Sequence, residues 1–257
     1  MDYLDHYKEH GYAVVKSVFR PEEIEALAEE FTRIKASALT RDLKLQDPRI
    51  ITIVNDDPKC GRVLRLVQWA VYISKVLSSW RVEPRLLEIL APLIGNSLKQ
   101  VSNIMFWKQP GSTVDHFSYH QDCRFPFASA LRDLGASYVP VGIAVDPHRP
   151  ENGAMKIYPG SHRLGQIALG MASPVSQTAM NDDDLREHSL DPSHLVDLVL
   201  DPGDVALWGP YTIHGSGPNT SAIDRRFFVN GYISAQNCDT GEWAFRNARP
   251  CPLSSLT

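Results

Sequence analysis

Apolar residues recur every three or four positions in "FRPEEIEALAEEFTRIKAS", so that Ile24, Leu27, Phe31 and Ile34 fall on one face of a helix. Pro21 stands where a first helical turn tolerates it, and Glu22 and Glu23 lie near the positive end of the helix dipole. The stretch predicts an amphipathic helix. "GRVLRLVQWAVYISKVLSSW" predicts a second helical region, and "EPRLLEILAPLIG" a shorter helix that opens at Pro84 and stops at Gly95. From about residue 98 the texture changes. "LKQVSNIMFW", "SYVPVGIAVD", "GAMKIYP", "HLVDLVLD", "GDVALWG" and "RRFFVNGYIS" are short and rich in Val, Ile and aromatics, with Pro, Gly and Asn between them. Helices first and many short strands after predict a mainly β fold, a sandwich or jelly roll with flanking α-helices. The acidic run "NDDDLREHSLDPSH" reads as a solvated loop.

Composition narrows the classes. A chain of 257 residues can bury a sizeable core as one domain, here expected over 1–257 with a helical N-terminal layer over about 1–97 and a β core over about 98–235. The formal net charge is -4 and no basic block is present, which speaks against nucleic acid or a membrane surface as partner. The start, "MDYLDHYKEHG", is charged, and no stretch approaches the roughly 18 apolar residues of a membrane span. A soluble, cytoplasmic protein is expected. Cys60, Cys123, Cys238 and Cys251 form no CxxC and suggest neither a zinc ribbon nor a disulfide framework.

The chemistry concentrates in "FSYHQDCRF". If this segment is extended, His120 and Asp122 project to one face while Gln121 points away. Such a pincer needs a third ligand. His6, His10, His188 and His194 sit in charged or terminal surroundings, and His148 and His162 have no carboxylate at ligand spacing. His214, in "GDVALWGPYTIHGSGPN", follows an apolar strand and precedes a Gly-rich turn. Two imidazoles and one carboxylate make a facial triad that leaves positions open on the metal, the pattern of non-haem Fe(II) oxygenases, whereas structural zinc favours a closed tetrahedral set. Arg225 begins "RRFFVNGYIS" and shares a strand face with Phe227 and Val229. An arginine facing a barrel interior calls for an anionic partner, and the distal carboxylate of 2-oxoglutarate suits its planar fork, with Ser216 placed to donate to the same group.

Together with "HYKEHGYAVVKSVFRPEEIEAL", "FWKQPGSTVDHFSYHQD", "ENGAMKIYPGSH" and "PGDVALWGPYTIHGSGPNTS", these residues make the chain resemble the phytanoyl-CoA dioxygenase-like family of Fe(II)/2-oxoglutarate oxygenases over nearly its whole length. The resemblance implies a double-stranded β-helix core (jelly roll, cupin-like). It implies His120, Asp122 and His214 as iron ligands, and Arg225, Ser216 and Arg65 at the co-substrate 2-oxoglutarate. It further implies oxidative decarboxylation with O2 to succinate and CO2, coupled to hydroxylation of a C–H bond; Asp122, in place of a small residue, argues against halogenation. Asn152 and Gly153 match the family's turn before the PGSH segment, and Gly142 stands where some relatives carry a tryptophan beside the co-substrate. Residues 123–138 are expected to rim the site, with Trp107, Arg124, Phe125 and Tyr138 as substrate contacts. The expected substrate is a small metabolite or natural-product intermediate. A metal-dependent hydrolase using the same ligands and a non-catalytic jelly-roll binding module are the rival readings.

Overall fold

Residues 2–40, 47–125, 128, 130–169 and 181–253 are described by the computed structural model of the chain. It opens with α1 (Tyr3–His10), β1 (Tyr12–Val15) and α2 (Pro21–Thr40). A hairpin of β2 (Ile51–Asp57) and β3 (Gly61–Gln68) leads to α3 (Lys75–Trp80) and α4 (Pro84–Ile94). The later strands are β4 (Leu98–Lys108), β5 (Phe117–His120), β6 (Tyr138–Ala144), β7 (Met155–Ile157) and β8 (Val196–Asp197). They continue with β9 (Val205–Trp208), β10 (His214–Ser216), β11 (Arg225–Ser234), β12 (Glu242–Arg246) and β13 (Arg249–Pro250).

Two antiparallel sheets face each other. The larger runs β1-β9-β6-β11-β4, and the free edge of β4 carries β3 with β2 along one stretch and β12 with β13 along another. The smaller runs β5-β10-β7-β8. This is the jelly roll that the strand pattern predicts. Side-chain alternation gives the large sheet two faces. On β11, Phe228 and Tyr232 join the helices in one core, while Phe227 and Val229 join Met155 and Ile157 of the small sheet in another. On the outer face α2 buries Ile24, Leu27, Phe31 and Ile34, and Phe31 meets Trp107 and Phe228 with ring centroids 4.9 and 6.2 Å apart. Each apolar side chain of this kind contributes roughly 1.5–3 kcal/mol when buried.

Two bulges aim residues that matter below. On β4 the register passes from Gly231↔Ser102 to Tyr232↔Gln100, so Val101 is an extra residue, and Val101 and Ser102 both face the space between the sheets. On β3 it passes from Ile53↔Leu66 to Val54↔Leu64, which makes Arg65 the extra residue.

Three expectations need correction. The second helical region is mostly strand: "GRVLRLVQ" forms β3, and helix begins again at Lys75. Val63 to Val67 is buried throughout because the strand is covered on both faces, and such a run fits helical and strand spacing equally well; its partners β2 and β4 decide. The helical layer over about 1–97 therefore contains β1, β2 and β3. The acidic run is not a bare loop, since Asp182–Arg186 is a short helix that buries Leu185.

Candidate metal centre

His120 closes β5 and Asp122 opens a 3-10 turn, Asp122–Arg124. Gln121 between them is extended and fully buried, with its side chain turned away. Its Nε2 donates to the carbonyls of Gly165 (2.8 Å) and Tyr211 (2.7 Å), and its Oε1 accepts from the Ile167 amide (2.9 Å). That anchoring fixes the backbone between the two candidate ligands. His214 opens β10 directly opposite His120 in the antiparallel ladder, and the two imidazole centroids lie 4.2 Å apart.

The donor atoms converge. Nδ1 of His120 lies 2.8 Å from the Ser118 carbonyl and Nδ1 of His214 lies 3.0 Å from the Thr212 carbonyl. A carbonyl partner assigns the proton to Nδ1 in each ring and leaves the Nε2 lone pair for a metal. The two Nε2 atoms lie 3.7 and 3.6 Å from Asp122 Oδ1. The other oxygen, Oδ2, accepts from the indole Nε1 of Trp208 at 2.9 Å. One ligand atom from each of His120, Asp122 and His214 lies within 4.8 Å of the others, and all three residues are buried. Burial, with His214 beside it, pushes the His120 imidazole well below its ordinary range and keeps it neutral. Burial raises the Asp122 carboxyl above its ordinary range, against the pull of His214 and the Trp208 hydrogen bond. Two imidazoles and a carboxylate on one side of a cavity fit a divalent ion such as Fe(II).

The centre opens on a cavity of about 480 Å³ between the sheets. Ser216 and Arg225 line it, as do Phe125 and Tyr138. Arg225 is 3% exposed; its Nη2 donates to the Gly153 carbonyl at 2.9 Å, while its Nε has no hydrogen-bond partner. Burial pushes its guanidinium down to about 10, against the pull of Asp115 and Asp146, so it stays protonated at neutral pH. A buried cation with an unused donor fits a carboxylate ligand. Gly153 serves it through the backbone: φ is +73°, and a Cβ there would lie 2.6 Å from the Gly217 carbonyl oxygen. Asn152 braces the same turn by accepting from the Arg149 amide and donating to the Pro147 carbonyl.

Three sequence candidates lie elsewhere. Trp107 alternates with Phe106, which lines the cavity, so its indole enters the outer core against Phe31. Arg124 stands two places along a 3-10 turn from Asp122 and lies outside the lining, whereas Phe125, three places along, returns to the same side and packs edge-on against His120. Arg65 is turned by its bulge behind Phe117, 4.3 Å from that ring's centroid, and donates to the Val114 and His116 carbonyls. Lys108 lies on the same ring at 5.3 Å and donates to the Asp115 carbonyl, so these two buried basic side chains back the cavity wall without lining it. Pro126, Phe127 and Ser129 of the expected rim lie outside the described residues.

Other features carried no local signal in the sequence. Trp208 reads as one more apolar strand residue, yet it holds Asp122. The space over Gly142 is filled by the ring of Phe227, since a Cβ on Gly142 would lie 2.0 Å from the Phe227 Cζ. The Phe227 ring stacks on Trp208 (6.3 Å, 22°) and meets the buried His148 edge-on at 4.7 Å.

The chain is similar to a protein of Stutzerimonas stutzeri named "Probable alpha-ketoglutarate-dependent hypophosphite dioxygenase", 28% identical over 237 residues that cover 89% of this chain and 77% of that one. Among solved structures, EctD from S. alaskensis with bound Fe matches at a TM-score of 0.68 and 19% identity, over 97% of this chain and 84% of that chain. The epimerase SnoN in complex with Fe3+, alpha ketoglutarate and nogalamycin RO matches at 0.65 and 18% identity, over 98% and 94%. At such identities the two structures speak for the fold alone. The family model for phytanoyl-CoA dioxygenase (PhyH) matches residues 7–227, a span that takes in the small sheet, the large sheet up to the start of β11, the three candidate ligands and Arg225. By that match the chain belongs to the phytanoyl-CoA dioxygenase (PhyH) family.

Proposed function

We propose that the chain is an Fe(II)- and 2-oxoglutarate-dependent dioxygenase, acting as one domain over its whole length, that hydroxylates a C–H bond of a small molecule. The observation that carries this reading is the meeting of His120, Asp122 and His214 at the cavity that also holds Arg225 with its Nε unpartnered. The chemistry supplied by bound iron and 2-oxoglutarate is oxidation of a C–H bond with O2, with release of succinate and CO2. His120 and His214 would hold the ion through Nε2, and Asp122 through Oδ1, while Trp208 keeps the carboxylate from turning. Arg225 on β11, with Ser216 on β10 of the facing sheet, binds the distal carboxylate and so orients the co-substrate along the cavity. Phe125 and Tyr138 face the substrate. The buried Arg225 with an unpartnered Nε, beside Ser216, disfavours a metal-dependent hydrolase or a binding module. The family's membership and the Stutzerimonas relative's name support the same class. Four free cysteines support a cytoplasmic setting, and no helix among the described residues is long and apolar enough to cross a membrane.

Anaerobic addition of Fe(II) and 2-oxoglutarate should give a weak visible charge-transfer band. Arg225→Lys keeps the charge and loses the fork, so the 2-oxoglutarate titration should weaken by on the order of 1.5–3 kcal/mol, and Arg225→Met should weaken it further. No band in wild type, or equal binding by Arg225→Met, would return the lead to the hydrolase or binding-module readings.

A further inference from the structure

Apart from Asp122, Arg225 and the two imidazoles of the centre, no described residue lining the cavity carries an acidic carboxyl or a basic side chain. Away from them the wall is hydrocarbon, built by Ile51 and Ile53 of β2, Leu66 of β3, and Ile104 and Phe106 of β4. Ile51 is 50% exposed and also lines the cavity, so the hydrocarbon wall reaches the cavity mouth. The polar groups on this side are few and gathered. The bulge at Val101 brings Ser102 to the lining. A Cβ on Gly231 would lie 2.4 Å from the Tyr138 hydroxyl and 3.0 Å from the Ser102 Cβ, so those two side chains meet over one glycine. Gln68 lies on the next strand, opposite Ile104. Beside it Trp69 takes a left-handed backbone, φ 60°, which a bulky residue rarely adopts away from functional sites. That conformation sets its indole in the lining, with Tyr72 stacked against it at 5.6 Å.

From this division of charge we propose that the substrate is a neutral, mainly hydrocarbon molecule bearing a hydroxyl or carbonyl group. Its hydrocarbon body seats on the β2, β3 and β4 wall, and its polar group reaches Ser102, Tyr138 and Gln68. The proposal rests on the oxygenase reading, which assigns Arg225 to the co-substrate. With that cation engaged, a second carboxylate or phosphate entering the cavity gives up its hydration and finds no lining cation among the described residues to replace it. A hydroxyl or carbonyl group loses far less and is met by neutral donors. The same reasoning sets this site apart from one built for a small inorganic oxyanion or for the phosphates of an acyl-CoA.

The test compares three probes with one hydrocarbon tail, decan-1-ol, decanoate and decanoyl-CoA. Each is titrated anaerobically into the Fe(II)-loaded protein with 2-oxoglutarate present throughout, so that a carboxylate probe does not simply read Arg225. Quenching of tryptophan fluorescence reports occupancy, because Trp69 and Trp208 line the cavity. Decan-1-ol should bind roughly tenfold or more tighter than either anion. Ile53→Lys, at a half-buried wall position, should reverse the order of decan-1-ol and decanoate. Equal or tighter binding of either anion by wild type, absence of saturable decan-1-ol binding, or an order unchanged in Ile53→Lys would overturn the proposal. The two readings fail separately: a missing charge-transfer band with the order intact removes the oxygenase, and a reversed order with the band intact removes the substrate class.

Discussion

The indole of Trp208 donates to Oδ2 of Asp122 at 2.9 Å, across 86 residues of sequence, and leaves Oδ1 facing both candidate imidazoles. One oxygen is thus committed to the protein and one to the centre, which defines how the carboxylate can approach a metal. Outer partners of this kind typically govern metal affinity by about 10–100-fold. Trp208→Phe keeps an aromatic ring in the stack with Phe227 and removes the donor. Its Fe(II) or Ni(II) affinity should fall within that range with thermal stability nearly kept; an unchanged metal titration would show that Asp122 needs no such restraint.

Gly142 and Phe227 form a second pair that can be tested. A methyl group on residue 142 would occupy space held by the Phe227 ring, and overpacking in a filled core costs about 1–3 kcal/mol. Gly142→Ala should be destabilised by that amount and should narrow the cavity, because the ring moves toward it. Adding Phe227→Leu should recover part of the loss. Strict additivity in the double-mutant cycle would separate the two residues.

On the outer face of the large sheet a buried polar group ties α3 to the strands. Arg81, fully buried, donates from Nε to Gln100 Oε1 (3.0 Å) and from its two terminal nitrogens to the Cys251 (2.8 Å) and Trp243 (2.7 Å) carbonyls. Gln100 and Asn103 in turn donate to Asn230 Oδ1. Arg81→Met leaves these acceptors dry and unpaired, which should cost on the order of 3–5 kcal/mol. Urea unfolding should show a lower midpoint with an unchanged slope.

Arg85 joins the starts of α2 and α4 by bonding Glu23 (2.7 and 3.1 Å) and Glu83 (2.7 Å). Its bond, with that of the Arg20 amide, holds the Glu23 carboxyl at about 2 against an ordinary 4.5. A depressed carboxyl contributes stability above its unfolded value and loses it as pH falls through the folded one. The stability difference between wild type and Glu23→Gln should therefore be present at neutral pH, shrink from about pH 4.5 downward and vanish near pH 2. High salt should reduce it, since the pair is partly exposed. A difference that persists at pH 2 would assign it to packing.

What could be read from the sequence followed from local rules. The α2 face, the helix from Pro84 to Gly95 and most later strands come from spacing and turn residues. The pairing of His120 with Asp122 was readable from their two-residue spacing, whereas His214 was singled out by its setting between an apolar strand and a Gly-rich turn and by the family resemblance. Phase across long-range pairings was not readable. Trp107 was expected at the substrate, but strand alternation with Phe106 decides its face, and nothing local says which face is inner. Arg65 and Ser102 owe their directions to bulges, which exist only in relation to a partner strand. "GRVLRLVQ" is apolar on both sides, so its period cannot distinguish strand from helix until β4 is in place.

The direct opposition of His120 and His214 in neighbouring strands has a consequence for assembly. The two halves of the centre are brought side by side by the same ladder that closes the small sheet, so a metal bound there acts as a rivet through β5 and β10. Because only the folded pairing offers both imidazoles, binding feeds back on that pairing by mass action. Metal loading should then slow amide exchange in β5 and β10 and leave the helix-backed sheet almost unchanged.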